Sequence, residues 1–223
     1  MTDVYLEVGA KRVFAGALEW PGWCRAGRDQ DAALGTLFAY AERYRRAIGS
    51  ARLRFAVPAT GDELRVVDRV DGDATTDFGA PGVAPSADRE AVDDADLRRA
   101  ERLLRACWRT FDAAVDAAGG AELTKGPRGG GRDAEQIVGH VADADRAYLS
   151  KLGAGIKVAE EGVGALLPVR AAIVEALWAV PRDEPDRTGP RGGRYWTPRY
   201  AVRRIAWHVL DHAWELEDRT PEG

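Results

Sequence analysis

The 223-residue chain lacks several features that mark common protein classes. Its two cysteines, Cys24 and Cys107, are too few and too far apart to form a disulfide framework or a CxxC motif. No apolar run approaches the ~18 residues of a membrane span, and the N-terminus lacks the charged start and apolar core of a signal peptide. The net charge of −4 argues against a basic nucleic-acid-binding face. We therefore expect a cytoplasmic protein that binds neither membranes nor nucleic acids.

Histidine is also scarce, and two of the three histidines lie in one stretch, WTPRYAVRRIAWHVLDHAWELEDR. Thr197 followed by Pro198 predicts a helix start, because a side-chain oxygen caps the helix and proline suits its first position. His208 and His212 are four residues apart on the apolar stripe, so their side chains lie on one side of the helix. A buried, unpaired ring nitrogen costs about 1–3 kcal/mol, so the pattern predicts a partner for both imidazoles.

The third histidine, His140, lies on the inward face of a second helical run, DAEQIVGHVADADRAYLSKLG. A pair at i,i+4 on one helix and a single histidine on a neighbouring helix suit a divalent first-row metal held by three neutral nitrogens. Open coordination positions would remain for water or a ligand. The alternative is that each histidine is a core or surface residue bonded to a carbonyl or carboxylate. We predict a metal site formed by His140, His208 and His212.

The N-terminal part, residues 1–70, is predicted to be a small α+β unit. Two β-prone runs suggest a hairpin, a third short strand follows the Pro21-Gly22 turn, and Asp29 can cap the next helix. Further strands are predicted at residues 53–57 and 63–70. Residues 71–92 are rich in Gly, Pro, Asp and Thr and are predicted to form a linker.

Part of this unit resembles HicB-type antitoxin proteins over about fifty residues. The matching residues are Phe14-Ala15-Gly16, Pro21-Gly22, Cys24, Ala26-Gly27 and Ala32-Ala33-Leu34. The separate DNA-binding element that such antitoxins carry is not evident in the sequence. The absence of that element argues against a DNA-binding regulatory role for the unit.

Residues 93–223 are predicted to fold as four helices, each with one apolar stripe. The first ends at Gly119-Gly120, the second begins after Asp133, the secure part of the third runs from Leu166 to just before Pro181, and the fourth begins at Pro198. Four such helices favour a bundle. The predicted fold class is an α+β unit followed by an all-α, up-down four-helix bundle.

The helix order and histidine placement over residues 93–219 resemble the DinB-like superfamily. The corresponding residues are His140 within GHVADADRAY, His208 and His212 within WHVLDHAWELEDR, and the Arg199-Tyr200 approach to the last helix. The resemblance implies a site for Zn, Ni, Fe or a similar ion. For some members it implies a thiol-dependent transferase or isomerase that uses mycothiol or bacillithiol. Many relatives continue with Gly-Gln after the last histidine, where this chain has Ala213-Trp214-Glu215.

A divalent ion in such a site lowers the pKa of a bound water or thiol toward ~7, which serves either hydrolysis or thiol transfer. Hydrolysis also requires a general base, for which Asp143, Asp211 and Glu215 are the candidates. The alternative is that these carboxylates are solvated or hold an imidazole N–H.

Arginines in the connections before the second and fourth helices are predicted to bind an anionic group of a small-molecule substrate. The predicted substrate-binding residues are Arg191, Arg194 and Arg199, since guanidinium groups bind carboxylate or phosphate in a bidentate manner. The alternative for the connections is a mobile surface segment.

Trp207 and Trp214 share a helical face, which predicts packing against a helix or the N-terminal unit, or across a homodimer interface. The competing functional hypothesis is a non-enzymatic binding or regulatory protein. In that case the metal is structural or absent, and the N-terminal unit binds a partner.

Overall fold

Four strands near the N-terminus form one sheet. The fold is taken from a computed structural model, which describes residues 1–125, 131–155, 162–190 and 192–221. The strands are β1 (Thr2–Val8), β2 (Val13–Ala17), β3 (Cys24–Gly27) and β4 (Leu64–Asp71). β1 and β2 form the predicted hairpin, β3 continues it in antiparallel fashion, and β4 pairs with β1 in parallel.

The predicted first helix is present but divided at Tyr40 into α1 (Gln30–Ala39) and α2 (Ala41–Ala47). Asp29 caps α1 as predicted, accepting a 2.8 Å hydrogen bond from the Ala32 amide. The strand predicted at residues 53–57 is wrong, because the Phe55 amide bonds to the Leu53 carbonyl at 3.0 Å and closes a tight turn instead of joining the sheet.

Residues 71–92, the predicted linker, are packed against the sheet. They contain α3 (Ala74–Phe78) and a 3-10 turn over Ser86–Arg89. The buried carboxylate of Glu7 holds this segment by accepting hydrogen bonds from the Thr76 hydroxyl and from the Gly82 and Val83 amides. Composition alone missed this anchor, because Glu7 is about seventy residues away in sequence.

The C-terminal half consists of four long helices, as predicted. They are α4 (Asp94–Ala118), α5 (Ala134–Lys151), α6 (Val163–Ala179) and α7 (Pro198–Arg219). Capping boxes at Asp93 and Asp133 start α4 and α5, and Thr197 caps α7. Helix α6 begins three residues earlier than its predicted secure part and contains Pro168. The expected class, an α+β unit followed by a helical bundle, is confirmed.

Helix α7 lies between the other helices of the bundle and the sheet. Seventeen of its 22 residues are buried, so it is covered on nearly all sides rather than along one stripe. Trp207 meets Phe14 of β2 edge to face at 6.0 Å, and Trp214 meets Tyr40 at 5.1 Å. Both tryptophans therefore pack against the N-terminal unit. No helix among the described residues is long and apolar enough to span a bilayer.

Candidate metal centre

The three histidines meet at the contact between α5 and α7. His208 and His212 lie one turn apart on α7, with ring centroids separated by 4.6 Å. His140 on α5 faces both, at centroid distances of 5.0 and 4.9 Å. One potential ligand atom from each residue lies within 4.8 Å of the others. Among the described residues, this is the group of His, Cys, Asp and Glu side chains that can hold a metal ion.

The spacing of the ring nitrogens suits a common metal ion. Nε2 of His140 and Nε2 of His208 are 3.2 Å apart. Two imidazole nitrogens bound to one ion at about 2.0–2.1 Å lie roughly 2.9–3.4 Å apart for bond angles of about 90–110°. Three nitrogen donors also match borderline metals such as zinc, iron or nickel. The donor set and the Nε2–Nε2 distance therefore fit the expected ion.

Glu215 orients the third imidazole. Its Oε2 lies 2.8 Å from Nδ1 of His212, and its Oε1 accepts a 2.6 Å hydrogen bond from Arg219. Arg219 is held in turn by the Thr124 carbonyl at 2.8 Å. When Nδ1 donates to the carboxylate, Nε2 of His212 keeps its lone pair for a metal. The hydrogen bond with His212 is the main cause of a lowered pKa at Glu215, which keeps this carboxylate ionised.

Burial keeps two of the imidazoles in the neutral form that binds metals. Desolvation is the main cause of a lowered pKa at both His140 and His208, and the charges of His212 and Arg132 add to it. His208 is the more deeply buried of the two, and its Nδ1 has no hydrogen-bond partner among the described residues. A neutral imidazole needs no proton release before it binds a cation.

Two of the predicted substrate-binding arginines, Arg194 and Arg199, are engaged elsewhere. Arg191 lies outside the described residues. Arg194 forms an ion pair with Asp186, and Arg199 donates to Asp96 at 2.8 Å and to the Ala91 carbonyl at 3.0 Å. The contacts of Arg194 and Arg199 hold the surrounding loops together, and their role in binding a substrate stays a prediction.

A different arginine, Arg204, lies beside the histidines and was missed in the sequence. It precedes His208 by four residues, so the same helical spacing that paired the histidines places it on their side of α7. Its guanidinium lies 5.6 Å from the Tyr148 ring centroid and 5.0 Å from that of Trp207. Tyr148 in turn meets His208 edge to face at 5.7 Å. Arginine, tyrosine and tryptophan thus surround one side of the histidine cluster.

The three candidate general bases all have partners. Asp143 is exposed and bonds to Arg146 at 2.8 Å, and Asp211 pairs with Arg25 of β3 at 2.7 Å. Glu215 is shared between His212 and Arg219, as described above. The alternative role considered for Glu215, that of holding an imidazole, is the one that its contacts support.

A helical bundle with a three-histidine cluster between two of its helices defines the class of this protein. The family model of the DinB superfamily matches residues 103–216, which is half of the chain and includes all three histidines. The chain therefore belongs to the DinB superfamily. No curated protein and no solved structure matches the chain. The match excludes the N-terminal unit, so the resemblance of that unit to HicB-type proteins stays a prediction.

Proposed function

We propose that the protein is a metal-dependent enzyme that transfers or isomerises a substrate with the help of a low-molecular-weight thiol. The observation that carries the proposal is the convergence of His140, His208 and His212, whose potential ligand atoms all lie within 4.8 Å of one another, with the Nε2 atoms of His140 and His208 3.2 Å apart. Three protein ligands leave coordination positions open, which is typical of catalytic sites, whereas structural zinc sites are closed by four protein ligands.

The partners of the nearby carboxylates favour thiol transfer over hydrolysis. Hydrolysis would use a carboxylate as general base, yet Asp143, Asp211 and Glu215 are each engaged by an arginine or a histidine. A thiol needs less help, because its ordinary pKa of about 8.5 is already close to neutral. Three neutral imidazoles leave a divalent ion its full charge, which lowers the pKa of a thiol beside it and supplies a thiolate nucleophile.

The residues around the cluster have separable roles in this scheme. Glu215 fixes the ring of His212 through Nδ1. Tyr148 lies against His208, and its hydroxyl is 3.3 Å from Arg204, so it marks one boundary of the space beside the imidazoles. Trp207 covers another side and is itself supported by Phe14 from the sheet. These rings exclude water from one side of the cluster, which strengthens electrostatic interactions within the site.

Metal content of the purified protein is the first test. We expect about one equivalent of zinc, nickel or iron in the wild type, and loss of most of it in His208→Ala after chelation and dialysis. Tyr148→Phe is the matched control, because it removes a hydroxyl beside His208 without removing a ligand. Unchanged metal content in His208→Ala would contradict the proposed site.

Thiol use is tested on cobalt-substituted protein. Titration with mycothiol or bacillithiol should produce a cobalt–sulfur charge-transfer band, and the same titration with serine should not. Failure of either thiol to perturb the cobalt spectrum would refute the thiol proposal while leaving the metal site intact.

The competing reading, a regulatory protein with a structural metal, predicts a different result. Metal removal would then lower the thermal midpoint greatly, because binding energy would be folding energy. For a catalytic site on a packed bundle we expect a small change.

A further inference from the structure

Arg204 is a buried cation that forms no ion pair within the part of the chain that the structure describes. Arg204 is 7% exposed, and its Nη1 has no hydrogen-bond partner among the described residues. Within the same described segments, its Nη2 donates only to the neutral Tyr148 hydroxyl, at 3.3 Å. The preceding residue, Arg203, is also a buried arginine, but its guanidinium donates hydrogen bonds to both carboxylate oxygens of Asp88.

A buried carboxylate, Glu7, interacts with this cation electrostatically but is bonded to other groups. The oxygens of Glu7 accept hydrogen bonds from Thr76, Gly82 and Val83. In the part of the chain that the structure describes, Arg204 forms no ion pair with any carboxylate. Burying an unpaired charge is strongly unfavourable, so an arginine kept there without a bonded counter-ion calls for a functional reason.

The location of this charge suggests the reason. Arg204 lies one helical turn from His208, and the Tyr148 side chain contacts both, so the positive charge of Arg204 lies beside the cluster. A divalent ion at the histidines would add to the same positive potential. Among the described residues, the carboxylate bonded to the cluster is that of Glu215, and it is already shared between His212 and Arg219. Small anions would therefore be attracted to this part of the molecule.

We propose that Arg204 binds a carboxylate or another oxyanion group of the small molecule that enters the three-histidine site. The proposal deepens the proposed function and rests on it for the location of the substrate. Arg204 would hold one end of an anionic substrate while the reacting end lies at the histidines. Its guanidinium is pre-oriented by Tyr148 and Trp207, so little side-chain freedom is lost when the anion binds.

The test is an anion titration of the full chain, in metal-free and zinc-loaded forms. Acetate and inorganic phosphate are added separately at constant ionic strength, and tryptophan fluorescence is followed, with Trp207→Phe identifying the contribution of Trp207. We expect saturable binding of at least one probe by both forms of the wild type. Arg204→Gln should weaken that binding at least tenfold. Acetate and phosphate distinguish a carboxylate from a phosphate ligand.

The control is Arg99→Gln, which removes an equal charge from an arginine stacked 4.6 Å from the Trp20 ring. It should leave anion binding unchanged. Equal weakening in both variants, undiminished binding in Arg204→Gln, or no saturable binding by the wild type would each overturn the proposal.

Arg204→Lys is a second variant that keeps the buried positive charge and so guards against misfolding of the glutamine variant. Since lysine cannot form the bidentate fork, acetate affinity should fall, and unchanged acetate affinity would refute the role of the guanidinium. The metal-free arm separates the two proposals. Anion binding without zinc binding would sink the enzyme proposal alone, whereas zinc binding without anion binding would sink only this one.

Discussion

Asp145 offers a sharp test of the energetics of the bundle. Its carboxylate on α5 is fully buried, and neither oxygen has a hydrogen-bond partner among the described residues. Desolvation raises the pKa of Asp145 from the ordinary 3.8 to about 7, and the charge of Arg170 opposes this only in part. Arg170 itself donates to Asp112 at 2.8 Å. We predict that Asp145→Asn stabilises the protein above neutral pH.

The sign and size follow from proton linkage. Below about pH 4 the Asp145 carboxyl is protonated in both the folded and the unfolded chain, so it does not make the free energy of unfolding depend on pH. As the pH rises from 4 to 7, the unfolded chain releases the proton and the folded chain retains it, which lowers the free energy of unfolding. A change in pKa from 3.8 to about 7 corresponds to roughly 4 kcal/mol, at about 1.36 kcal/mol per tenfold change in proton affinity. Asparagine has no such cost.

The assay is urea denaturation of wild type and Asp145→Asn at pH 5 and pH 8.5. We expect the variant to gain about 1–2 kcal/mol over wild type at pH 5 and about 3–4 kcal/mol at pH 8.5. Asp143→Asn, an exposed change on the same helix, should alter stability by under about 1 kcal/mol at both pH values. The reasoning is refuted if the advantage of Asp145→Asn is independent of pH, or if the variant is less stable at pH 8.5.

Two further variants test interactions on α7. Glu215→Gln should lower metal affinity by about 10–100-fold with little loss of helicity, because the support of His212 Nδ1 is weakened, and equilibrium dialysis measures this against Glu217→Gln. Arg203→Met should cost about 3–5 kcal/mol in urea denaturation, because Asp88 is left buried without its partner. Adding Asp88→Asn should recover part of that loss, and the absence of recovery would contradict a specific pair.

The features that were predictable from sequence depend on local geometry. A spacing of four residues places His208 and His212 on one helical face whatever surrounds the helix. Capping also acts within three residues, so Asp29, Asp133 and Thr197 were sufficient to locate helix starts. The meeting of His140 with the other two followed because a buried imidazole needs a partner and the chain contains only three.

The features that were missed depend on contacts between distant segments. Residues 71–92 are held against the sheet by hydrogen bonds from the Gly82 and Val83 amides to Glu7. No residue within 71–92 indicates this contact, because its acceptor lies in β1. Phe55 lies in an aromatic cluster with Trp20 and Trp23, and this packing overrides its β propensity. The composition of the arginine-rich loops predicts that their guanidinium groups bind a substrate. Whether a guanidinium is free depends on which carboxylates and carbonyls lie opposite it.

The N-terminal unit packs against α7, the helix that carries two of the three histidines, and this contact shapes the site. Trp207 contacts Phe14 on the sheet and lies 6.2 Å from the ring of His208, while Arg25 of β3 pairs with Asp211 between the two α7 histidines. Because Trp207 also stacks on Arg204, the sheet indirectly fixes the cation beside the cluster. A bundle without the sheet would expose this side of α7 to water. The N-terminal unit therefore forms part of the wall that buries His208 and positions Arg204 beside it.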